Sequence, residues 1–306
     1  MKNTSNNNKL IYRISLIAVI GNTILAVSKI LGGIIFDSLA VLGDGLDSTG
    51  DIFSSIVLLY AARIINQPPD RCHPYGHQKA DAIASKALSF FVLFAGIQLA
   101  ISSFGKILSP TAPVMPSTPA IIVTLFSVFG KSILMLMLFK TGKASGSTML
   151  VSNAKNMRAD IIISLSVFIG LGGVFIFQAP ILDAITAFLV SLWIIRVGYF
   201  IFLETNSELM DGIGDEYIYE LIFKAVKEVP QAFNPHRVRA RKIGNSIFID
   251  MDIEIDPQKT VQEAHDISMK VEQTVKKYIP NVLDINVHIE PLGNNEEEVF
   301  GISENC

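Results

Sequence analysis

The sequence predicts a six-helix membrane bundle followed by a small soluble α+β domain, and three observations predict it. Half of the 306 residues are hydrophobic and only 17% are charged, against the roughly 25% usual in soluble domains. Six mainly apolar stretches reach the length of about 20 residues needed to cross a bilayer core. After Glu204 the texture changes to amphipathic helices and alternating strands.

Taken in order, residues 1–10 begin the polar segment "MKNTSNNNKLIYR", which lacks a small-residue cleavage signature and reads as a cytosolic tail before a retained first span. The spans are expected at Ile11–Phe36, Ser38–Ile65, Ala80–Leu108, Pro119–Thr141, Ala159–Phe177 and Ile181–Glu204, giving a membrane domain over 11–204. The loops "FDS" and "QAP" are short enough to make their flanking spans antiparallel hairpins. Lys2, Lys9 and Arg13 precede span 1. Arg63, Arg71 and Lys79 lie between spans 2 and 3, and Lys140, Lys143, Lys155 and Arg158 between spans 4 and 5. The opposite loops carry no Lys or Arg, so both termini face the cytosol of a multi-pass protein in the cell membrane.

Residues 205–292 read as helix, two strands, helix and strand. "DEYIYELIFKAVKEV" has helical periodicity. "HRVRARKI" and "SIFIDMDIEID" alternate around a Gly244-Asn245 turn. "TVQEAHDISMKVEQTVKKY" opens with Thr260 and Glu263 in capping-box spacing, and "VLDINVHIEP" closes the domain. Helices on one face of a sheet is the expected packing. Residues 293–306, with "NNEEE", read as a disordered acidic tail. Cys72 and Cys306 are too far apart in sequence to imply a disulfide framework, the formal charge of -3 says little about partners, and nothing points to nucleic acid.

Span 2 contains "GDGLDSTGD", with Asp44, Asp47 and Asp51. Three unpaired acids at the bilayer centre would oppose insertion by roughly 8–10 kcal/mol, while each Leu, Ile or Val returns only about 0.3–0.6 kcal/mol. Such a helix is tolerable only if the acids face water or a cation. Asp47 and Asp51 are four apart, and Asp44 is three before Asp47, so all share one face. Asn156 and Asp160, also four apart, open span 5. Two such helices can converge on one ion with four ligands. The plainer alternative pairs the acids with the intramembrane lysines Lys29 and Lys131.

The segments "KILGGIIFDSLAVLGDGLDSTGD", "HPYGHQKAD", "EAHDIS" and "VHIEP", in this order, resemble the cation diffusion facilitators, over roughly residues 10–292. The resemblance implies a ferredoxin-like cytosolic domain, a homodimer in the lipid bilayer, and export of a divalent transition metal in exchange for protons, without enzymatic activity. It implies a transport site of Asp47, Asp51, Asn156 and Asp160. Zinc exporters of the family usually place a His at the first position of one or both pairs; here Asp47 and Asn156 stand there. An all-oxygen set suits a harder ion, and the pattern is similar to the manganese-type branch. Mn²⁺ is favoured, with Fe²⁺, Zn²⁺, Co²⁺ and Cd²⁺ open. The mechanism implied is alternating access, with carboxylates that accept protons trading them for the metal.

The resemblance also implies a loop metal site of Asp70, His73 and His77, with Cys72 as a nearby soft donor of unassigned role. The plainer alternative is a set of surface histidines at a helix start, with His77 capping. Lys79 resembles a basic residue that some members pair with an acid after span 6, here Asp211. In the cytosolic domain the family's regulatory metal sites fall on His236, Asp252, His265, His288 and Glu290. A two-residue turn at Gly244-Asn245 sets Arg239 opposite Asp250 and Arg237 opposite Asp252. That register explains Asp252 by cross-strand charge pairing and sends His236 to the other face, unless a bulge intervenes. His265, His288 and Glu290 are therefore the expected ligands.

Two other functions fit paired membrane acids: an intramembrane aspartyl hydrolase, and a membrane metal sensor without transport. The hydrolase is disfavoured because the span 2 acids stand in "GDGLD", the wrong order for a GxGD motif, and one pair contains Asn156.

Overall fold

A computed structural model describes residues 2–65, 67, 69–109, 114–145, 148–244, 246–293 and 300–303. Six long helices come first: α1 (Lys2–Ile35), α2 (Leu39–Ile65), α3 (Ala80–Leu108), α4 (Pro119–Ser145), α5 (Thr148–Phe177) and α6 (Ile181–Leu209). They are followed by α7 (Tyr217–Lys227), β1 (Phe233–Ile243), β2 (Ser246–Ile255), α8 (Val261–Tyr278) and β3 (Val282–Pro291). The chain divides into two compact units, Met1–Tyr60 with Ser85–Phe202, and Ala61–Ala84 with Leu203–Cys306.

Five helices in the described residues are long and apolar enough to cross a membrane: Arg13–Ile35, Ala80–Leu108, Pro119–Ser145, Asn153–Phe177 and Ile181–Leu209. α2 is as long but carries its three aspartates. In the first unit α4 packs along α5 and α1 along α4. Leu25, Leu134, Leu138, Leu150 and Met157 pack in one core cluster, and Val41, Leu99, Val167, Leu171 and Ile194 in another. Large apolar side chains such as Phe94, Phe129, Ile169 and Ile176 face outward, as a bundle solvated by lipid requires.

The α1–α2 hairpin turns at Asp37, whose φ is 54°. Asp183 of α6 anchors the start of α2. Its carboxylate accepts the Ser38 hydroxyl at 2.6 Å and the amide N–H groups of Leu39 at 2.8 Å and Ala40 at 3.3 Å. Those are amides a helix N-terminus leaves unsatisfied. Further along, α1 and α2 approach closely: a Cβ on Gly33 would lie 2.6 Å from the Leu42 amide nitrogen, and one on Gly45 would lie 3.0 Å from the Ile30 amide nitrogen. Only glycine permits this crossing, and it sets Lys29 of α1 beside Asp44 of α2.

In the second unit β1 pairs antiparallel with β2, and β2 parallel with β3, a mixed three-stranded sheet in the order β1-β2-β3. α7 and α8 bury Ile222, Val226, Val271 and Val275 against Ile249, Met251 and Ile253 of the central strand. Thr260 Oγ1 accepts the Glu263 N–H at 3.2 Å, and the Glu263 carboxylate accepts the Thr260 N–H at 2.9 Å. These bonds hold Glu263 below the usual glutamate range.

The hairpin differs from the expected register at its outer end. Ile243↔Ser246 through Arg239↔Asp250 pair as expected around Gly244; Asn245 lies outside the described residues. The register then shifts twice, setting His236 opposite Asp252 and Phe233 opposite Glu254. Arg237 and Asn234 take the left-handed conformation, with φ of 48° and 42°. Such bulges re-aim side chains, so His236 is not sent to the apolar face away from Asp252.

Within the segment expected as an acidic tail, residues 300–303 are described. Ile302 bridges Val238 of β1, each amide N–H donating to the other's carbonyl at 3.0 Å. Residues 294–299 and 304–306, with Cys306, lie outside the described residues.

Candidate metal sites

The first candidate lies in the helical unit. Asp44 is fully buried and Asp47 and Asp51 are half-buried on α2. Asp51 comes within hydrogen-bond reach of the Asp160 carboxyl on α5, and Asp47 lies in the field of Asp160 and Asp44. Asn156, one turn before Asp160, is exposed. The oxygens of Asp47, Asp51 and Asp160 do not gather within 4.8 Å, as those of the two clusters below do. The helices bring the carboxylates to one region without closing them into a shell.

Two buried lysines enter the same region. Lys29 Nζ donates to Asp44 Oδ1 at 2.8 Å, Ser164 Oγ at 2.9 Å and Ser48 Oγ at 3.1 Å. The Ser164 hydroxyl also donates to Asp44 Oδ1 at 2.8 Å. Of the two readings open for Asp44, this is the pairing with an intramembrane lysine, Lys29. Lys131 of α4, also fully buried, places Nζ 3.2 Å from Asp160 Oδ2. It is close enough for an ion pair, but no acceptor is aligned with it for a hydrogen bond. With Asp44, Asp47, Asp51 and Asp160 against Lys29 and Lys131, two negative charges remain when all six groups are ionised. That balance suits one divalent cation.

The second candidate is the α2–α3 connection. Asp70, His73 and His77 hold their ligand atoms within 4.8 Å of one another. Asp70 Oδ1 accepts the His73 N–H at 2.6 Å and the Cys72 N–H at 2.8 Å. The His73 amide above all keeps Asp70 below the usual carboxylate range. His73 Nδ1 is 3.3 Å from Oδ1, His77 Nε2 is 3.4 Å from Oδ2, and the imidazoles are 4.4 Å apart. The His77 Nδ1 is buried without a hydrogen-bond partner, so this ring is not capping α3. Cys72 is exposed and forms no disulfide among the described residues. Two imidazoles and a carboxylate suit zinc or another borderline ion.

The third candidate, in the sheet, is not the set expected. His236, Asp252 and Glu290 are all buried and hold their ligand atoms within 4.8 Å. His236 Nδ1 is 2.6 Å from the Asn234 carbonyl and Nε2 is 3.1 Å from Glu290 Oε2. If Nδ1 carries the proton, Nε2 turns a lone pair toward a carboxylate, which a cation or a second proton must bridge. Arg237 Nη1 lies 2.9 Å from Asp252 Oδ2. His265 is exposed on α8, and His288 is exposed with Nε2 3.7 Å from Glu290 Oε1. Of the expected ligands only Glu290 sits inside the cluster; the bulge put His236 and Asp252 there. In the same unit, Lys79 Nζ lies 2.7 Å from Asp211 Oδ1.

The cation efflux transmembrane domain matches residues 15–210, and the cation efflux protein cytoplasmic domain matches residues 215–292. The chain belongs to the cation efflux family. Manganese efflux system protein MneS of Bacillus subtilis is 30% identical over 285 residues, covering 91% of this chain and 94% of its own. Manganese efflux system protein MneP of the same organism is 29% identical, covering 91% and 95%. The solved metal-bound C-terminal domain of the CzcD transporter from Thermotoga maritima is 40% identical, covers 26% of this chain and 92% of its own, and has a TM-score of 0.25. This cation efflux protein is thus a membrane metal transporter and not an enzyme, which removes the hydrolase reading.

Within it, sequence reasoning missed the Ser164 and Asp183 contacts and the pairing of Lys131 with Asp160. The signal for Lys131 was present: a lone lysine inside the apolar stretch "VFGKSILML". Its partner lies on another helix, and spacing alone does not pair helices.

Proposed function

We propose that this cation efflux protein exports a divalent transition metal from the cytosol in exchange for protons, by alternating access through a site of Asp47, Asp51, Asn156 and Asp160. The observation that carries the proposal is the approach of Asp51 on α2 to Asp160 on α5, in a region holding two more acids than lysines. Four oxygen donors with no imidazole favour Mn²⁺, as does the likeness to the manganese efflux system proteins MneS and MneP. Fe²⁺, Zn²⁺, Co²⁺ and Cd²⁺ are alternative cargoes.

Six spans with both termini in the cytosol fit the lysine and arginine distribution. The cytoplasmic domain, read as ferredoxin-like, joins two copies into a homodimer. Its buried His236, Asp252 and Glu290 would hold a regulatory divalent ion, with His265 and His288 further out. Asp70, His73 and His77 would hold another, and the Lys79–Asp211 pair ties the loop after α2 to the segment after α6.

The test is export of Mn²⁺ by purified protein in vesicles carrying a pH gradient. Native protein moves Mn²⁺ with proton counterflow; Asp51→Ala and Asp160→Ala abolish it. Transport by either alanine variant would refute the site. Binding without flux by the native protein would mark a sensor instead. Asn156→His adds an imidazole and should move preference toward Zn²⁺ in the same assay; no gain in Zn²⁺ flux would count against the ligand assignment.

A further inference from the structure

Resting on the transport site just described, we propose that Lys131 is a tethered competing cation: it holds Asp160 while the site is empty and opposes the metal for that carboxylate. The two buried lysines frame the argument. Lys29 has three acceptors for its three donors. Lys131 is equally buried, lies 3.2 Å from Asp160 Oδ2, and has no aligned acceptor. Leaving a buried ammonium unsatisfied is expensive, and a methionine or leucine would pack the same space without that cost. A lysine is explained there if a movable positive charge is needed.

The surroundings fit a charge that moves. Asp160, Asp51 and Asp47 all lie in the electrostatic reach of Lys131, so the ammonium faces the proposed carboxylate ligands as a group. Ser127, one turn earlier on α4, is buried with an unpartnered hydroxyl. A helical side chain leans toward the turn before it, so Ser127 is an acceptor on the turn that an ammonium pushed off Asp160 by a metal would lean toward.

The consequence concerns affinity. An exporter must hold its cargo firmly enough to capture it and loosely enough to release it. Asp47, Asp51 and Asp160, unopposed, would hold one ion more tightly and release it more slowly than with a lysine beside them. A lysine on the same carboxylate loosens the grip in proportion to its own attraction.

The experiment is Mn²⁺ titration calorimetry on the purified full-length protein at one fixed pH, with efflux at saturating Mn²⁺ alongside. Lys131→Gln should bind Mn²⁺ about tenfold more tightly, the low end of what a neighbouring charge does to a carboxylate's cation affinity, and should release it more slowly. Merely structural damage would weaken binding, so the sign discriminates. Lys131→Arg keeps the charge and grips a carboxylate with two donors; it should bind Mn²⁺ several-fold more weakly than native. Equal or weaker binding by Lys131→Gln overturns the proposal. If that variant does not fold, equal or tighter binding by Lys131→Arg overturns it and weaker binding supports it. Asp160→Asn separates the two readings. If it binds like native, the transport site itself is wrong and Lys131 falls with it. If it loses binding while Lys131→Gln is unchanged, the Lys131 proposal alone fails.

Discussion

Lys29 and Lys131 are both fully buried lysines beside an aspartate, on α1 and α4 of the same bundle, and their surroundings differ in kind. Lys29 sits at the close crossing of α1 and α2 with Asp44, Ser48 and Ser164 arranged around it. Lys131 meets Asp160 at 3.2 Å without an aligned hydrogen bond. A saturated pair resists change, because every alternative partner is worse. An unsaturated pair is a place where an incoming ion finds a charge ready to yield. The first pair is read as holding the bundle together, the second as belonging to transport.

The largest expected effect breaks the saturated pair. Asp44→Asn leaves the Lys29 ammonium buried without its counter-charge, and removing one partner of a buried pair typically costs about 3–5 kcal/mol. Thermal denaturation in detergent should show a fall large enough to reduce the yield of folded protein. Asp160→Asn should cost less, below about 2 kcal/mol, because Lys131 keeps Asp51, Asp44 and Asp47 in its field. It should nonetheless abolish transport. If the two variants are equally destabilised, the division between a holding pair and a working pair is wrong.

This division was only half legible beforehand. Long apolar runs made helices plain, and α3 spans the expected Ala80–Leu108. α5 begins at Thr148, ahead of the span expected from Ala159, because the polar run Ser152–Arg158 interrupts the hydropathy signal without ending the helix. The shared face of Asp44, Asp47 and Asp51 followed from a period of 3.6. That Asp44 turns to Lys29 depends on which helix crosses at Gly33 and Gly45, a tertiary fact. The sheet cluster shows the same limit. Regular alternation separates His236 from Asp252, and only the left-handed Arg237 within the bulge reunites them; nothing about an arginine announces that conformation.

A moderate effect sharpens the comparison. Ser164 accepts from Lys29 and donates to Asp44 Oδ1, whereas the Asp160–Lys131 pair has no comparable bridging hydroxyl among the described residues. Ser164→Ala removes both bonds from a buried network and should cost about 1–3 kcal/mol, measured by the same thermal assay. Mn²⁺ efflux per folded molecule should be unchanged. A loss of efflux at normal stability would put Ser164, four residues after Asp160 on α5, into the transport site.

The smallest effect is expected where the change is chemically most drastic. The double replacement Lys29→Met with Asp44→Leu removes both charges at once and leaves no orphan. Replacing a buried ion pair by packed apolar groups is often neutral or stabilising, and in lipid the charged pair brings no benefit from burial by itself. Ser48 already donates to the Asp44 backbone carbonyl at 3.0 Å, and Ser164 can turn to the carbonyl of Asp160 one turn back, so neither hydroxyl is stranded. Stability should stay within about 1 kcal/mol of native, with transport retained. The matching replacement Lys131→Met with Asp160→Leu should be equally well folded and inactive. Retained folding in both doubles, with flux lost in one only, separates structural from transporting charge; flux lost in both would place Lys29 and Asp44 in the ion's path.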